Sequence, residues 1–173
     1  YKLTNNYQFN FQFFRLRPSN FPTIRLAQLV SLVHYQHNLF SNIIEVSDVK
    51  DYYNIFDVPV SEFWKTHYSF TSKSKKSNKK ITKSLVHLFL INTIIPIKFA
   101  YLKHIGTLNT EAIFKTIKVI PTEKNSIIEK FSDLKINSNS ALESQSLIQL
   151  KNEYCSKLRC LHCSIGNILL RET

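Results

Sequence analysis

Glycine is nearly absent from this chain of 173 residues: Gly106 and Gly166 are the only two. A phosphate-cradling loop needs several glycines so that backbone N–H groups can close on the ligand, so that class of nucleotide site is excluded. Tight two-residue hairpins also lean on glycine, so an all-β barrel or sandwich is disfavoured. Methionine is missing altogether and the chain begins at Tyr1, without a charged-then-apolar leader pattern. We read it as a piece of a longer protein whose N-terminal part lies elsewhere. Cysteine is confined to Cys155, Cys160 and Cys163. An odd number makes a poor disulfide framework and points to a reducing, cytoplasmic setting with thiols that are free or on a metal.

Acidic residues are missing from a long interval. None occurs between Glu62 and Glu111, and that gap holds Lys65, Lys73, Lys75, Lys76, Lys79, Lys80, Lys83, Lys98 and Lys103. These lysines carry most of the formal net charge of +11. Immediately before the gap, Glu45, Asp48, Asp51, Asp57 and Glu62 face a single Lys50, so the chain is electrically polarised along its length. Six of the lysines fall in "TSKSKKSNKKITKS", which predicts a flexible basic loop over residues 71–80. Two readings stand: a loop that meets the phosphates of DNA or RNA, or a solvated loop that keeps the protein soluble. A charge run alone reads no sequence. Arg15, Arg17 and Arg25 flank "RPSNFPTIR", and their forks suit phosphate or carboxylate partners of the same fold equally well.

No apolar run reaches the length of a membrane span. The longest, Ser84–Ile97, contains His87 and Asn92 and is followed by Lys98, whereas spanning takes about 20 apolar residues. A buried central helix is the better reading. Pro96 lacks an N–H and crowds the carbonyl of Asn92, so a kink is expected there, with the Asn92 side chain serving the opened turn.

With 43% apolar and 13% aromatic residues, the remainder reads as one mainly α domain, an irregular multi-helix bundle. Tyr7, Phe9, Phe11 and Phe13 alternate with polar residues, which suggests a short strand near the N-terminus. Residues 20–45 read as a largely buried helix capped by Asn20 with Pro22 in its first turn. "SEFWKTHYSF" reads as a short helix capped by Ser61 and anchored by Phe63 and Trp64. "NTEAIFKTIKVIP" reads as a helix closed by Pro121. "TEKNSIIEKFSDL" reads as another, with Ile127, Ile128, Phe131 and Leu134 inward. Ser140 and Glu143 form a capping box at the head of a C-terminal helix that carries the cysteines, over residues 140–173.

The spacing Cys155-x4-Cys160-x2-Cys163 supports a metal site, since a C-x2-C pair can present two thiolates to one ion from a tight turn. Zinc would make a structural clip, and an iron–sulfur cluster would also use cysteines. Lys157 and Arg159 would favour thiolates. A fourth ligand would come from His34, His37, His67, His87 or His104, or from outside the chain. The competing reading is three small residues buried as free thiols. Catalytic patterns are scarce: no H-E-x-x-H occurs, and only His67, His87 and Glu123 suggest an acid–base site, if they converge. Glu123 and Asn125 in "PTEKN" fit the first turn of a helix as well.

The phrases "FFRLRPSNFPTIRLAQLVSLVH", "FWKTHYSF", "INTIIPIKFAY", "IPTEKNSI" and "SQSLIQLKNEYCSKLRCLHCSIGNILL" follow one another in this order. Together they resemble the C-terminal half of a bacterial family of unknown function, number 2851 in the domain-of-unknown-function series. The resemblance implies a preceding half with a Gly-Pro-Asp-Phe phrase and a Glu-x-His phrase, similar to the acidic core of restriction-like nucleases. It implies further that this chain is the helical partner of such a half, and that Cys155, Cys160 and Cys163 match a C-terminal cysteine cluster. The functional expectation is a nucleic-acid-associated helical module with a metal-clipped C-terminus. The alternative is a structural or protein-interaction domain with buried free thiols and no metal.

Overall fold

A computed structural model describes residues 11–171, and these are mainly helical. The expected alternation at Tyr7 and Phe9 lies outside the described residues. Phe11 and Phe13 are not in a strand. Among the described residues β pairing is limited to two single bridges, His67 to Lys73 and Pro121 to Ser140. The chain divides into two compact units, residues 1–46 with 50–86, and residues 47–49 with 87–173.

In the first unit, α1 (Pro22–Tyr35) begins with Pro22 in its first turn as expected. Phe21, not Asn20, occupies the capping position. Asn20 instead accepts a hydrogen bond at Oδ1 from Arg25, at 2.6 Å. The helix is not largely buried. Ile24, Ala27 and Leu32 are covered, while Leu26, Leu29, Val30 and Val33 are about half exposed or more. The broad apolar stripe is thus wider than the face the fold covers. The expected long helix also breaks at Gln36–Asn38, after which α2 (Leu39–Glu45) begins. Gln36 explains the break. Its backbone closes α1 onto Leu32, and its side chain donates to Ile55 O at 3.1 Å, at the end of α3 (Val49–Phe56). Tyr52 on α3 is fully buried and its hydroxyl donates to Ile43 O and Val46 O, at 3.1 and 2.8 Å. That fixes the end of α2. A single turn, α4 (Glu62–Lys65), follows Ser61.

One continuous helical stretch runs from Lys83 to His104. It comprises α5 (Lys83–Phe89), a π turn (Leu90–Ile94) and α6 (Ile95–His104). The irregularity expected from Pro96 takes this form: Ile95 N–H reaches back five residues to Leu90 O. Widening the ladder relieves the clash of the proline ring with the carbonyl four back. Asn92 Nδ2 donates to Leu88 O at 3.0 Å, so the amide does serve the opened turn. The helix is buried on one side only. Val86, Leu90, Ile94 and Ile95 are covered, whereas Leu88, Ile97 and Phe99 are exposed. It extends beyond the 14-residue run because Lys98 does not end it. Lys98 is itself buried, donates to Ser47 Oγ at 3.4 Å, and has its pKa lowered by that burial. By length and composition this is the one helix among the described residues that could cross a membrane, a test that the core helix of a soluble protein also passes.

The second unit is built on good caps. Asn109 opens α7 (Thr110–Val119) by accepting from Ala112 N at 3.0 Å. Asn125 opens α8 (Ser126–Asp133) by accepting from Ile127 N and Ile128 N. Ser140 opens α9 (Ala141–Gln149) by accepting from Glu143 N at 3.3 Å. Glu143 returns a bond to the N–H of Asn139, one residue before the cap, at 2.7 Å. Both α7 and α8 pack on α9. Thr116 on α7 donates to Ser47 O at 2.8 Å, which anchors residues 47–49 to this unit. Of the side chains expected inward on α8, Ile128 is buried, while Leu134 is 69% exposed because the helix ends before it. The C-terminal helix is not continuous from Ser140. A π stretch (Leu150–Cys155), a 3₁₀ turn (Cys160–His162) and α10 (Ser164–Arg171) follow α9.

Candidate functional site

The sequence "TSKSKKSNKK" is held against the first unit by named contacts. Ser74 N donates to Thr66 O at 2.7 Å and Ser77 N to Lys65 O at 2.9 Å, and Lys73 bridges to His67. The segment therefore runs antiparallel beside residues 65–67, directly after α4. Its far end is fastened from α1. Buried Gln28 donates through Nε2 to Lys79 O at 2.8 Å and to Lys80 O at 3.3 Å. Arg25 completes the chain by donating to Gln28 Oε1 at 2.9 Å. Residues 78–80 make no β bridge, and a buried carbonyl left unpaired costs about 1–3 kcal/mol.

The lysines divide by what they touch. Lys79 is buried. Its ammonium donates to Lys65 O at 2.9 Å and lies 4.2 Å from the centre of the Tyr68 ring. Lys80 pairs with Asp57 at 2.7 Å. Both act as fasteners in the fold. Lys83, in the first turn of α5, is exposed, with its ammonium 5.0 Å from the Tyr53 ring. Lys73, Lys75 and Lys76 are exposed. Lys65 bonds to Glu62. That bond, and the positive charge of Lys65 and then of Lys76, hold the Glu62 carboxyl below its ordinary range. Among the arginines, Arg15 and Arg17 are exposed, with the Arg15 guanidinium over Phe14 at 5.1 Å. Arg25 is spent on Asn20 and Gln28, and its pKa is lowered by burial.

Aromatic rings gather beside these lysines. Phe63 and His67 stack at 4.0 Å with ring planes 2° apart. Trp64 meets Phe63 edge-on at 5.0 Å and Phe70 at 5.2 Å. His67 Nδ1 lies 2.9 Å from Phe63 O, which fixes the ring over the turn. Phe63 was expected as an anchor, yet it is 41% exposed, and Phe70 is 66% exposed.

The three cysteines lie close in sequence but do not assemble a donor set. Cys155 and Cys160 are exposed, Cys163 is buried, and all three are free thiols. Leu158 takes a left-handed conformation between them (φ 53°) and turns the chain before Cys160. Among the described residues no group of three or more His, Cys, Asp or Glu side chains could hold a metal ion, so the placement does not fit the zinc or iron–sulfur expectation. Lys157, expected to favour a thiolate, bonds to Glu153, and that bond lowers the Glu153 carboxyl. Cys163 lines a hollow of about 290 Å³ with Tyr154 and His162. Glu123 is not in the first turn of α8. It precedes the Asn125 cap and accepts a bond from Gln145 on α9.

The class defined by this fold and surface is a mainly α protein carrying a basic and aromatic face next to a one-turn helix. Residues 1–126 match the model of a family described as a protein of unknown function, DUF2851, and the chain belongs to that family. The match stops at the first residue of α8, so the cysteine phrase lies outside it. Searches of curated proteins and of solved structures returned no match.

Proposed function

We propose that this chain is a nucleic-acid-associated helical module which holds a phosphate backbone on Lys73, Lys75, Lys76 and Lys83. One observation carries the reading: exposed lysines on an anchored segment, within an interval between Glu62 and Glu111 that contains no acid. Lys79 and Lys80 support the surface from beneath, and Arg15 and Arg17 are the remaining exposed cations of the set. In this reading the chain does no chemistry of its own. In the same reading any nuclease-like catalysis would belong to a segment other than this one. Binding is then dominated by counterion release, with log K falling linearly in log salt. Titration of labelled DNA and RNA at several salt concentrations tests it. Retention that weakens steeply with salt is expected, and no binding at low ionic strength rules it out.

A second reading, a protein-interaction domain with free thiols, is favoured by a different feature. In the second unit an apolar groove of about 420 Å³ is lined by Ile91, Ile95, Phe99, Ile113, Phe114 and Ile117. Such a groove fits an apolar side-chain cluster from another protein. Association that persists at high salt, with no nucleic-acid binding, would favour it.

A further inference from the structure

We infer that the partner of the first unit is single-stranded nucleic acid, with its bases stacking on the Phe63–His67–Phe70 rings while its backbone follows Lys73, Lys75 and Lys76. This rests on the phosphate-binding reading above and names the class of strand it takes. The rings and the lysines are placed together by backbone contacts. The His67–Lys73 bridge puts the first lysine opposite a stacked histidine. The bonds from Ser74 N to Thr66 O and from Ser77 N to Lys65 O keep the following lysines along the same edge. Lys76 lies near enough to α4 to bias the Glu62 carboxyl, and Lys65 already holds that carboxylate.

An isolated exposed phenylalanine is ordinary on a protein surface. Here Phe70 and Phe63 are exposed within a set of four rings next to cations, and the neighbouring acid, Glu62, is paired with Lys65. Aromatic faces beside a basic track are what a single strand requires, because unpaired bases offer their π-faces and duplex bases do not. Reading a duplex takes a helix or a two-stranded ribbon laid in the major groove. α4 is four residues long and cannot serve. Pre-organisation favours the same conclusion. The contact of His67 Nδ1 with Phe63 O holds the histidine ring in its stack with Phe63, which lowers the ordering cost of that pair on binding.

Trp64 is the chain's only tryptophan and lies 5.2 Å from Phe70, so it reports on this surface directly. The test measures binding of a 12-nucleotide single strand and of the matching duplex, by anisotropy of the labelled oligonucleotide and by Trp64 fluorescence. The chain should prefer the single strand and quench Trp64 with it. Phe70→Ala should weaken the single strand about tenfold, leave its salt slope unchanged and leave duplex binding alone. Phe70→Trp should restore the affinity, and an unchanged melting temperature shows that the variants are folded. Lys75→Gln with Lys76→Gln should lower the salt slope by roughly 0.7 per lysine instead. Equal, salt-sensitive binding of both forms with no effect of Phe70→Ala overturns the stacking surface and leaves the backbone-holding reading standing. Absence of binding to either form overturns both.

Discussion

Lys135 and Leu158 hold positive φ angles of 64° and 53°, in the left-handed region where glycine usually ends a helix. Each sits in a reversal that its neighbours close. Ile136 N donates to Phe131 O at 2.9 Å, and Arg159 N to Tyr154 O at 3.0 Å. Gly106 does the same after α6 at φ 73°, with Thr107 N bonded to Leu102 O. Among the described residues Arg15 (φ 60°) shares this conformation with Lys135 and Leu158, and a Cβ there costs roughly 1–2 kcal/mol each. Lys135→Gly and Leu158→Gly should each stabilise by about 1 kcal/mol in urea unfolding. The second glycine is spent differently. A Cβ on Gly166 would lie 2.6 Å from Cys160 O, a backbone atom, so Gly166→Ala should loosen α10 from the Cys160 turn.

Tyr52 gives a prediction in pH. Burial raises its hydroxyl to about 12, from 10.0. Between those values the folded protein keeps a proton that the unfolded chain has lost. Its contribution is therefore full below pH 10 and is lost as pH rises towards 12. The slope is at most about 1.4 kcal/mol per pH unit. Tyr52→Phe should lower stability at neutral pH by about 1 kcal/mol, because Ile43 O and Val46 O lose a donor, and should flatten the alkaline loss. Lys98 acts in the opposite sense, since burial lowers its pKa and its folding penalty fades as pH approaches 10.5.

At the scale of elements, the start of α9 was legible, whereas the cap expected at Asn20 fell at Phe21 and the buried faces were not legible. Ser140, and Asn125 within its phrase, stood out because a cap is a local bond between a side chain and an N–H two or three residues on. An irregularity at Pro96 served by Asn92 was legible, because both residues lie within five positions, but its form as a π turn was not. The extent of burial on α1 did not follow, because Leu26, Leu29 and Val33 look identical in sequence whether or not anything covers them. The docking of residues 71–80 was illegible for a related reason. It depends on Gln28, about fifty positions away, which carries no signal of its own within an apolar stretch. Gln28→Ala should cost about 1–3 kcal/mol by unpairing Lys79 O. It should also speed tryptic cleavage within Lys73–Lys80, measured under native conditions, several-fold more than cleavage in α7.

For the whole molecule, charge was the property the sequence displayed most openly. What it hid was the division of labour among cations: Lys79, Lys80 and Arg25 fasten the fold, and Lys73, Lys75 and Lys76 remain facing solvent. The cysteine spacing suggested a ligand set that Leu158 and the Cys160 turn do not assemble. Sequence spacing cannot register a left-handed turn between candidate ligands.

If the exposed lysines hold a phosphate backbone, the salt dependence of oligonucleotide affinity will show it. A linear fall of log K with log salt is expected for the native chain, with a slope that shrinks when Lys73, Lys75 and Lys76 are changed to Gln. A salt-independent affinity, or a slope unmoved by those three substitutions, would contradict it.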